Sequence, residues 1–389
     1  MSPTADALGR KSRLAVLLEH FSEIEDPRDV RRIYHPLPEI LLLVVCGSMA
    51  DCDDYENIAA WGKAHLSFLR RFLPYEHGVP GDRWLTILMN RISPALFSQA
   101  FTDWVRATWP ERADLVAIDG KTSRRSHDRG KGQAPIHLVS AFATTGRLVL
   151  GQEAVPDKAS ELAAIPVLLE RLGAEGGLEG ALVSIDAIAT NATIASAIRA
   201  EGADYLLAVK ANQPTLRAEV EACFDDASSG TIDTDIQCDK GHGRIEERTV
   251  HVLREVDWLA GQRRFPGELR LPDAACIVKV QSRTQLADRS RFDTRYFISS
   301  AALSAPKAAE AVRGHWAIEN RLHWVLDVTF ADDQSRLRKG HGAKNMAVVR
   351  HFALNLIRSA TDKNSLKTRR KLAGWSTDYL AELLTSSIQ

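Results

Sequence analysis

Cysteine is scarce in this chain, and its spacing excludes two common cysteine-based architectures. The 389 residues include five cysteines, an odd number, and none lies in a C-x-x-C pair. A disulfide framework needs an even, dense set of cysteines, and a structural zinc site needs closely spaced pairs. Neither kind of site is therefore indicated. The cysteines are Cys46, Cys52, Cys223, Cys238 and Cys276.

Long apolar stretches are also missing. The longest apolar run, residues 40–50, is much shorter than the roughly 20 residues that a helix needs to cross a bilayer. It leads directly into Asp51-Cys52-Asp53-Asp54, so we interpret it as a buried helix. The residues after Met1 contain no apolar segment typical of a secretory signal. We therefore expect a cytoplasmic protein that does not span a membrane.

Charge of one sign is not in excess over the whole chain, but it is in excess locally. The 50 lysines and arginines balance the 50 aspartates and glutamates. Between Arg313 and Lys371, however, basic residues outnumber acidic ones by eight. Such a region is typical of phosphate-binding surfaces, although a solvated charged helix face gives the same pattern.

The hydrophobic pattern divides the chain into a helical part and a mixed part. From about Leu14 to Trp109, apolar residues recur at helical spacing between proline breakers, which predicts a helical N-terminal region. After Pro110, three short strands are followed by alternating helices and strands, which predicts an α/β fold with a mixed sheet covered by helices. The predicted strands are 114–119, 136–144, 148–155, 181–186 and 204–210.

A β-rich segment interrupts this alternation before helices resume at Pro306. Residues 225–243 are polar and rich in glycine and aspartate, which predicts a loop, and strands are predicted at 248–254, 274–283 and 295–300. The expected boundaries are a helical region (1–110), the first part of the core (111–225), a β-rich insertion (226–300), the second part of the core (301–360) and a basic tail (361–389).

Three carboxylates stand out against this background. Asp119 and Asp186 each end a short β-branched run, and Glu319 lies in a helical segment that is otherwise apolar and aromatic. Phosphoryl transfer relies on positioning and charge neutralisation, and Mg²⁺ prefers a few carboxylates together with water and phosphate oxygens. Carboxyl ends of adjacent strands are where such residues converge. The three side chains could therefore form one metal site.

Each of these residues also has a structural interpretation. An aspartate at a strand end is often a turn or capping residue, as Asp186 before Ala187 could be, and a helical glutamate is usually solvated. His315 and His323 lie four residues on either side of Glu319, where they could border a cleft or be core histidines. The three carboxylates alone are a weak signal.

The sequence segments around the carboxylates are a more specific signal than the carboxylates alone. In this order they closely resemble the bacterial insertion-sequence transposases of the H-repeat-associated family, and the resemblance covers nearly the whole chain. The segments that carry it are Asp26-Pro27-Arg28, Ala117-Ile118-Asp119-Gly120-Lys121-Thr122, Ser184-Ile185-Asp186-Ala187, Asp204 to Pro214, Gly241 to Arg248, Tyr296 to Ser300, Arg313 to Asn320, Leu322 to Val328 and Ala373-Gly374-Trp375.

The resemblance implies a DDE transposase with an RNase H-like mixed-sheet catalytic core, a β-rich insertion and a helical N-terminal domain that binds DNA ends or mediates dimerisation. It implies Asp119, Asp186 and Glu319 as catalytic residues that bind two Mg²⁺ or Mn²⁺ ions. Its implied partners are double-stranded DNA, as terminal inverted repeats and target DNA, and a second copy of the chain on DNA. It also implies a nucleoid-associated location in the bacterial cytoplasm.

Candidate DNA contacts follow the core elements. A loop rich in basic residues is expected directly after Asp119, and a second group is expected after the strand that ends near Lys210. Phosphate contacts of this kind would position DNA without specifying its sequence. The candidates are Lys121, Arg124, Arg125, Arg129, Lys131, Lys210, Asn212, Gln213, His242, Arg244, His315, His323, Arg336, Arg338, Lys339 and Lys344.

Two other hypotheses remain open beside an active transposase. This chain has Asn191 where the family usually has glutamine, Asp332-Asp333 where the acidic pair usually begins with glutamate, and an altered element at 80–84. These departures motivate a catalytically silent DNA-binding protein derived from a transposase. A metal-dependent nuclease without strand transfer is the third hypothesis.

Overall fold

The N-terminal part of the chain is helical, as its periodicity predicts. The computed structural model describes residues 12–109, 115–127, 132, 134–227, 231–241, 244–260, 265, 268, 270–286 and 288–386. The helices of the N-terminal part are α1 (Arg13–Glu23), α2 (Leu37–Met49), α3 (Tyr55–Ala64), α4 (Leu66–Leu69), α5 (Asp82–Met89) and α6 (Pro94–Thr108).

Local sequence explains where these helices begin. Prolines near the start of α2 and α6 suit the first helical turn, whose N–H groups have no partner within the helix. The carboxylate of Asp54 caps α3 by accepting a hydrogen bond from the backbone N–H of Asn57 at 2.7 Å. The apolar run 40–50 lies almost wholly in α2 and is buried, as expected. None of the helices in the described part of the chain has the length and apolar character needed to cross a membrane.

The rest of the chain builds a single mixed sheet of nine strands in the order β3-β2-β1-β4-β5-β9-β8-β7-β6. β1 is antiparallel to β2 and parallel to β4, and β4 is parallel to β5. The strands are β1 (Leu115–Thr122), β2 (His137–Ala143), β3 (Leu148–Val155), β4 (Leu182–Ile185), β5 (Asp204–Val209), β6 (Asp233–Gly241), β7 (Arg244–Leu253), β8 (Cys276–Gln285) and β9 (Ser290–Ser299).

Helices cover both faces of this sheet. Along β5, Leu206 and Ala208 belong to one apolar cluster, whereas Tyr205, Leu207 and Val209 belong to another, as alternation along a strand requires. The mixed α/β architecture predicted from the sequence is confirmed. The remaining helices are α7 (Glu161–Gly173), α8 (Ala192–Ala200), α9 (Pro214–Asp226), α10 (Asp257–Ala260), α11 (Ala305–His315), α12 (Trp324–Thr329), α13 (Gly342–Arg358), α14 (Leu366–Trp375) and α15 (Thr377–Thr385).

One predicted element of the β-rich segment was wrong. The predicted loop at 225–243 contains β6, an edge strand that pairs along its whole length with β7. The β-rich segment joins the core sheet, because β9 pairs with β5. The expected basic tail forms α14 and α15, which pack against the helices of the N-terminal part and α13.

The helical N-terminal part shares one core with the sheet. α13 packs against α2, α5 and α6 on one side and against β3 on another. Phe21, Phe97 and Phe101 of the N-terminal helices surround Phe352 of α13 through ring contacts. The N-terminal helices therefore share buried contacts with the sheet and stabilise it.

Candidate functional site

The three carboxylates converge on one pocket at the edge of the sheet. Pairing between β1 and β4 ends at Ile118 and Ile185, so Asp119 and Asp186 are the next residues on two adjacent parallel strands. Glu319 reaches the same place from the segment between α11 and α12. All three line a pocket of about 450 Å³. β1 itself continues past Asp119 to Thr122, because β2 keeps pairing with it.

The segment that carries Glu319 departs from a regular α-helix. Residues 319–323 form a π-helical turn, in which the backbone N–H of Trp324 donates to the carbonyl of Glu319. Such turns are rare and occur often at functional sites. Ile318, Leu322 and Val325 are buried in the core and anchor this segment there.

Asp119 lies in a setting that disfavours its charge. Its side chain is 24% exposed. Burial, with smaller contributions from the carboxylates of Glu161, Glu319 and Asp186, raises the pKa of Asp119 to about 7, against one backbone hydrogen bond from Gly120 that lowers it. Electrostatic repulsion among the acidic groups is a stress that a bound cation would relieve.

Asp186 has the opposite balance. The Lys210 ammonium lies 2.6 Å and 2.8 Å from its two carboxylate oxygens. Burial opposes the shift, but the hydrogen bonds from Lys210 and the backbone of Ala187 lower the pKa of Asp186 below its ordinary value. Asp186 is therefore ionised at neutral pH, with a lysine beside it.

The two histidines lie inside the site rather than on its outer surface. Nδ1 of His315 is 2.9 Å from the Ser184 hydroxyl, and Nδ1 of His323 is 3.6 Å from the Asp119 carboxylate. Burial lowers the pKa of His315, and burial, with Lys121 and His137, lowers the pKa of His323 to about 4. Both are neutral at pH 7 and cannot act as cationic DNA contacts.

A fourth carboxylate next to Asp119 was not among the predicted site residues. Glu161, at the start of α7, is buried and accepts a hydrogen bond from Nε2 of His137 at 3.1 Å. Nδ1 of His137 is 2.9 Å from the Thr122 hydroxyl, which donates to it when the imidazole is neutral. A Cβ at Gly120 would lie 2.2 Å from Nε2 of His137, so only glycine fits there. Acids in a first helical turn are common, so no local pattern marks Glu161 for this role.

Lys121 is not in a loop and is not exposed, which corrects the sequence-based expectation. It lies in β1, and its ammonium is 2.7 Å from Asp327 and 2.9 Å from Asp332. Oxygens of Asp327, Asp332 and Asp333 form the acidic group whose atoms all lie within 4.8 Å of one another in the described part of the chain. The carboxylates of Asp119, Asp186 and Glu319 are spaced more widely around their pocket.

The other predicted DNA contacts are mostly on the surface. Two of them also touch neighbouring loops, since Arg338 donates to the carbonyl of Arg125 at 3.1 Å and Asn212 donates to that of Ala187 at 3.2 Å. Arg129, Lys131 and His242 lie outside the described residues. The exposed candidates are Arg124, Arg125, Lys210, Asn212, Arg244, Arg336, Arg338 and Lys339.

A basic groove beside the pocket was missed. It has a volume of about 980 Å³ and runs between β6–β9 and α11. Arg295 and Trp316 line both the groove and the carboxylate pocket, and the Arg295 guanidinium lies 4.7 Å above the Trp316 ring. Phe292 is 75% exposed at its wall. The arginines that line the groove are Arg248, Arg291, Arg295, Arg313 and Arg321.

Similarity to known proteins covers almost the entire chain. The transposase DDE domain family matches residues 110–356, and the DDE_Tnp_1-associated family matches residues 18–105. The H repeat-associated putative transposase YhhI of Escherichia coli (strain K12) is 35% identical over 382 residues, which cover 96% of this chain and 99% of the relative.

Two further relatives match this chain, one over nearly its whole length and one over a short segment. The putative transposase YncI of Escherichia coli O157:H7 is 35% identical over 378 residues, 95% of this chain and 94% of the relative. The inactive transposase YbfQ of Escherichia coli (strain K12) is 36% identical over 67 residues, 17% of this chain and 80% of the relative. The DDE domain implies an RNase H-like core, in agreement with the antiparallel and parallel order of β1 to β5. The chain belongs to the bacterial insertion-sequence DDE transposases of the H repeat-associated family.

Proposed function

We propose that this protein cleaves and joins DNA at the ends of an insertion sequence, using a divalent-metal site formed by Asp119, Asp186 and Glu319. The observation that carries the proposal is the convergence of these three carboxylates, from three separate elements, on one pocket. Membership of the DDE transposase family supports the reaction class. DDE transposition is phosphoryl transfer, in which the protein mainly positions groups and neutralises charge.

The donor set suits Mg²⁺ or Mn²⁺. Both ions prefer oxygen ligands, and three carboxylates at an open pocket leave positions for water and phosphate oxygens. Burial and the neighbouring carboxylates together raise the pKa of Asp119, and a bound cation would offset both effects. When bound, two such ions would activate a water or a 3′-hydroxyl and stabilise the leaving oxygen.

The chain's own cations have a different task. Lys210 can hold a phosphate near Asp186, and exposed Asn212 lies two residues further along the chain. The groove adds five arginines that line one continuous surface ending at the pocket. Arginine binds phosphates through paired N–H groups, so these residues would fix the path of the DNA strand towards the carboxylates.

Cleavage of DNA that carries the ends of the element encoding this chain tests the proposal. Wild type and Glu319→Gln are compared with Mg²⁺, with Glu310→Gln as the matched control, because Glu310 is exposed on α11 and lies outside the carboxylate pocket. We expect wild type and Glu310→Gln to cut and Glu319→Gln to be at least about 10³-fold slower. Equal activity of wild type and Glu319→Gln would refute the assignment.

Bringing two element ends together requires two active sites, so we propose a homodimer on DNA. The substrate would be double-stranded DNA, as terminal repeats and as target, in the nucleoid of the bacterial cytoplasm. Sedimentation with and without end DNA would measure this. One chain per pair of ends in the cleaving complex would contradict it.

A catalytically silent DNA-binding protein is the second candidate. It is favoured by two observations, the relative named an inactive transposase and the ion pair that Lys210 makes with Asp186. Binding of end DNA without cleavage in Mg²⁺ or Mn²⁺ would support it. Cleavage without joined products would instead indicate a nuclease that lacks strand transfer.

A further inference from the structure

Lys121 is two residues after Asp119 on β1, but it is buried among carboxylates and not exposed to a DNA-binding surface. Its side chain is 8% exposed, and its ammonium is 2.7 Å from Asp327, 2.9 Å from Asp332 and 3.7 Å from Asp333. A buried ammonium with this many carboxylates around it cannot also reach a phosphate at the surface. Its role must be internal to the protein.

The partners of Lys121 lie in the same stretch of chain as Glu319, residues 319–334, which we call the arm. Asp327 is in α12, which continues directly from the π-helical turn that begins at Glu319. Asp332 and Asp333 follow in a short 3₁₀ turn, entered through Ala331 in the left-handed region at φ 48°. One ammonium on β1 therefore holds both the helix after Glu319 and the turn that ends it.

Asp332 and Asp333 also contact other parts of the core, away from Lys121. Asp332, whose side chain is 3% exposed, also forms an ion pair with Arg350 of α13, which is 4% exposed. Asp333 accepts a hydrogen bond from the backbone N–H of Arg124 at 3.3 Å. The acidic group therefore already has cationic and N–H partners from three elements, which makes it a poor metal site.

We propose that Lys121 is a positioning residue that fixes the distance between Asp119 and Glu319, the two metal-binding carboxylates carried by β1 and by the arm that docks on it. The inference rests on the proposed metal site. Groups that orient metal ligands typically change metal affinity by about 10–100-fold when they are lost.

Binding of Mn²⁺ to the full chain, measured by electron paramagnetic resonance of the free ion, tests this role without relying on activity. We expect Lys121→Met to weaken Mn²⁺ binding by about 10–100-fold, and Lys121→Arg, which keeps the charge, to recover part of the loss. Asp327→Asn removes one partner and keeps the lysine, so it should fold and give a smaller loss. The affinity for end DNA should not change in any of the three.

Arg13→Met is the control for a change in stability alone. Arg13 is buried in the N-terminal helices, where its guanidinium donates to the Ser386 hydroxyl, and its loss should lower the melting temperature without changing Mn²⁺ affinity. If Lys121→Met does not fold, Lys121→Arg and Asp327→Asn carry the test.

The outcomes separate this inference from the proposed function. Wild-type Mn²⁺ affinity in Lys121→Met, or in both Lys121→Arg and Asp327→Asn when Lys121→Met does not fold, would overturn the positioning role and leave the metal site standing. Weaker DNA binding with unchanged Mn²⁺ affinity would also overturn it and make Lys121 a phosphate contact. Absence of Mn²⁺ binding and of cleavage in wild type would refute the metal site and the inference together.

Discussion

Asp119 is the residue whose surroundings most affect the chemistry of the site. Burial raises its pKa most, and three other carboxylates add to the shift; one of them, Glu161, comes from a helix that the sequence did not connect with the site. At the same pocket, Asp186 has a lysine beside it and a lowered pKa. Two aspartates that look alike in the sequence thus differ in charge near pH 7, because their neighbours differ.

The raised pKa of Asp119 predicts a pH dependence of stability in the metal-free protein. Between the ordinary value of 3.8 and about 7, the folded state binds a proton that the unfolded state has lost, so stability falls as pH rises through this range. Asp119→Asn removes this penalty. Above pH 7 it should be more stable than wild type by on the order of 2–4 kcal/mol.

Urea unfolding at pH 5, 6, 7 and 8 would measure this difference. The advantage of Asp119→Asn should shrink steadily as pH falls and vanish only below the ordinary pKa of 3.8, where Asp119 is protonated in both states. A variant that is equally or less stable than wild type at pH 8 would show that Asp119 carries no such penalty.

Lys121 shows at the same scale what local sequence cannot provide. Its basic neighbours Arg124 and Arg125 suggested a phosphate-binding loop, and these two are indeed exposed. The partners that bury Lys121 are more than 200 residues away along the chain, so no local pattern could reveal them. By contrast, strand-end aspartates are recognisable, because short β-branched runs followed by an acid form a local signal.

At the scale of elements, the sheet is wider than the pattern predicted. β6 is acidic and polar, a composition that disfavours strands, and it forms because β7 offers it an unpaired edge. Its pairing with β7 widens the β-rich segment, which joins the core sheet through β9 and β5. The extension creates the second wall of the basic groove opposite α11.

The groove predicts a localised DNA-binding surface. Arg291→Gln combined with Arg295→Gln removes two exposed cations from β9. Each lost phosphate contact should reduce the slope of log affinity against log salt by about one, so the double variant should lose about two and bind more weakly. Fluorescence anisotropy with a labelled DNA end, over a series of salt concentrations, would measure the slope.

Two exposed lysines near the C-terminus provide the matched control. Lys363→Gln with Lys367→Gln removes the same charge outside the groove and should leave the salt slope unchanged. If the lysine pair lowers the slope and the arginine pair does not, the DNA surface is the C-terminal segment and not the groove.

For the molecule as a whole, net charge along the chain did not predict which surfaces are basic. The segment from Arg313 to Lys371 is basic in the sequence, but Arg350 and Arg370 are buried in ion pairs with aspartates. Arg370 joins α14 to Asp51 and Asp53 near the end of α2. Part of this basic segment therefore stabilises the core instead of forming a basic surface.

This closure predicts that the C-terminal helices matter for stability. Leu384 in α15 is fully buried, so Leu384→Ala should lower the free energy of unfolding by about 2–5 kcal/mol. Leu96→Ala, at a position 43% exposed on α6, should cost far less. Chemical denaturation of both variants is the measurement, and a cost for Leu384→Ala no greater than for Leu96→Ala would mean that α15 is a dispensable tail.

The binding position of a divalent ion separates the two acidic groups of the core, because each contains three carboxylates. Crystals grown with Mn²⁺ and measured for anomalous scattering would locate the ion directly. We predict the anomalous peak in the pocket lined by Asp119, Asp186 and Glu319. A peak among Asp327, Asp332 and Asp333, with none in that pocket, would contradict both the assigned metal site and the positioning role of Lys121.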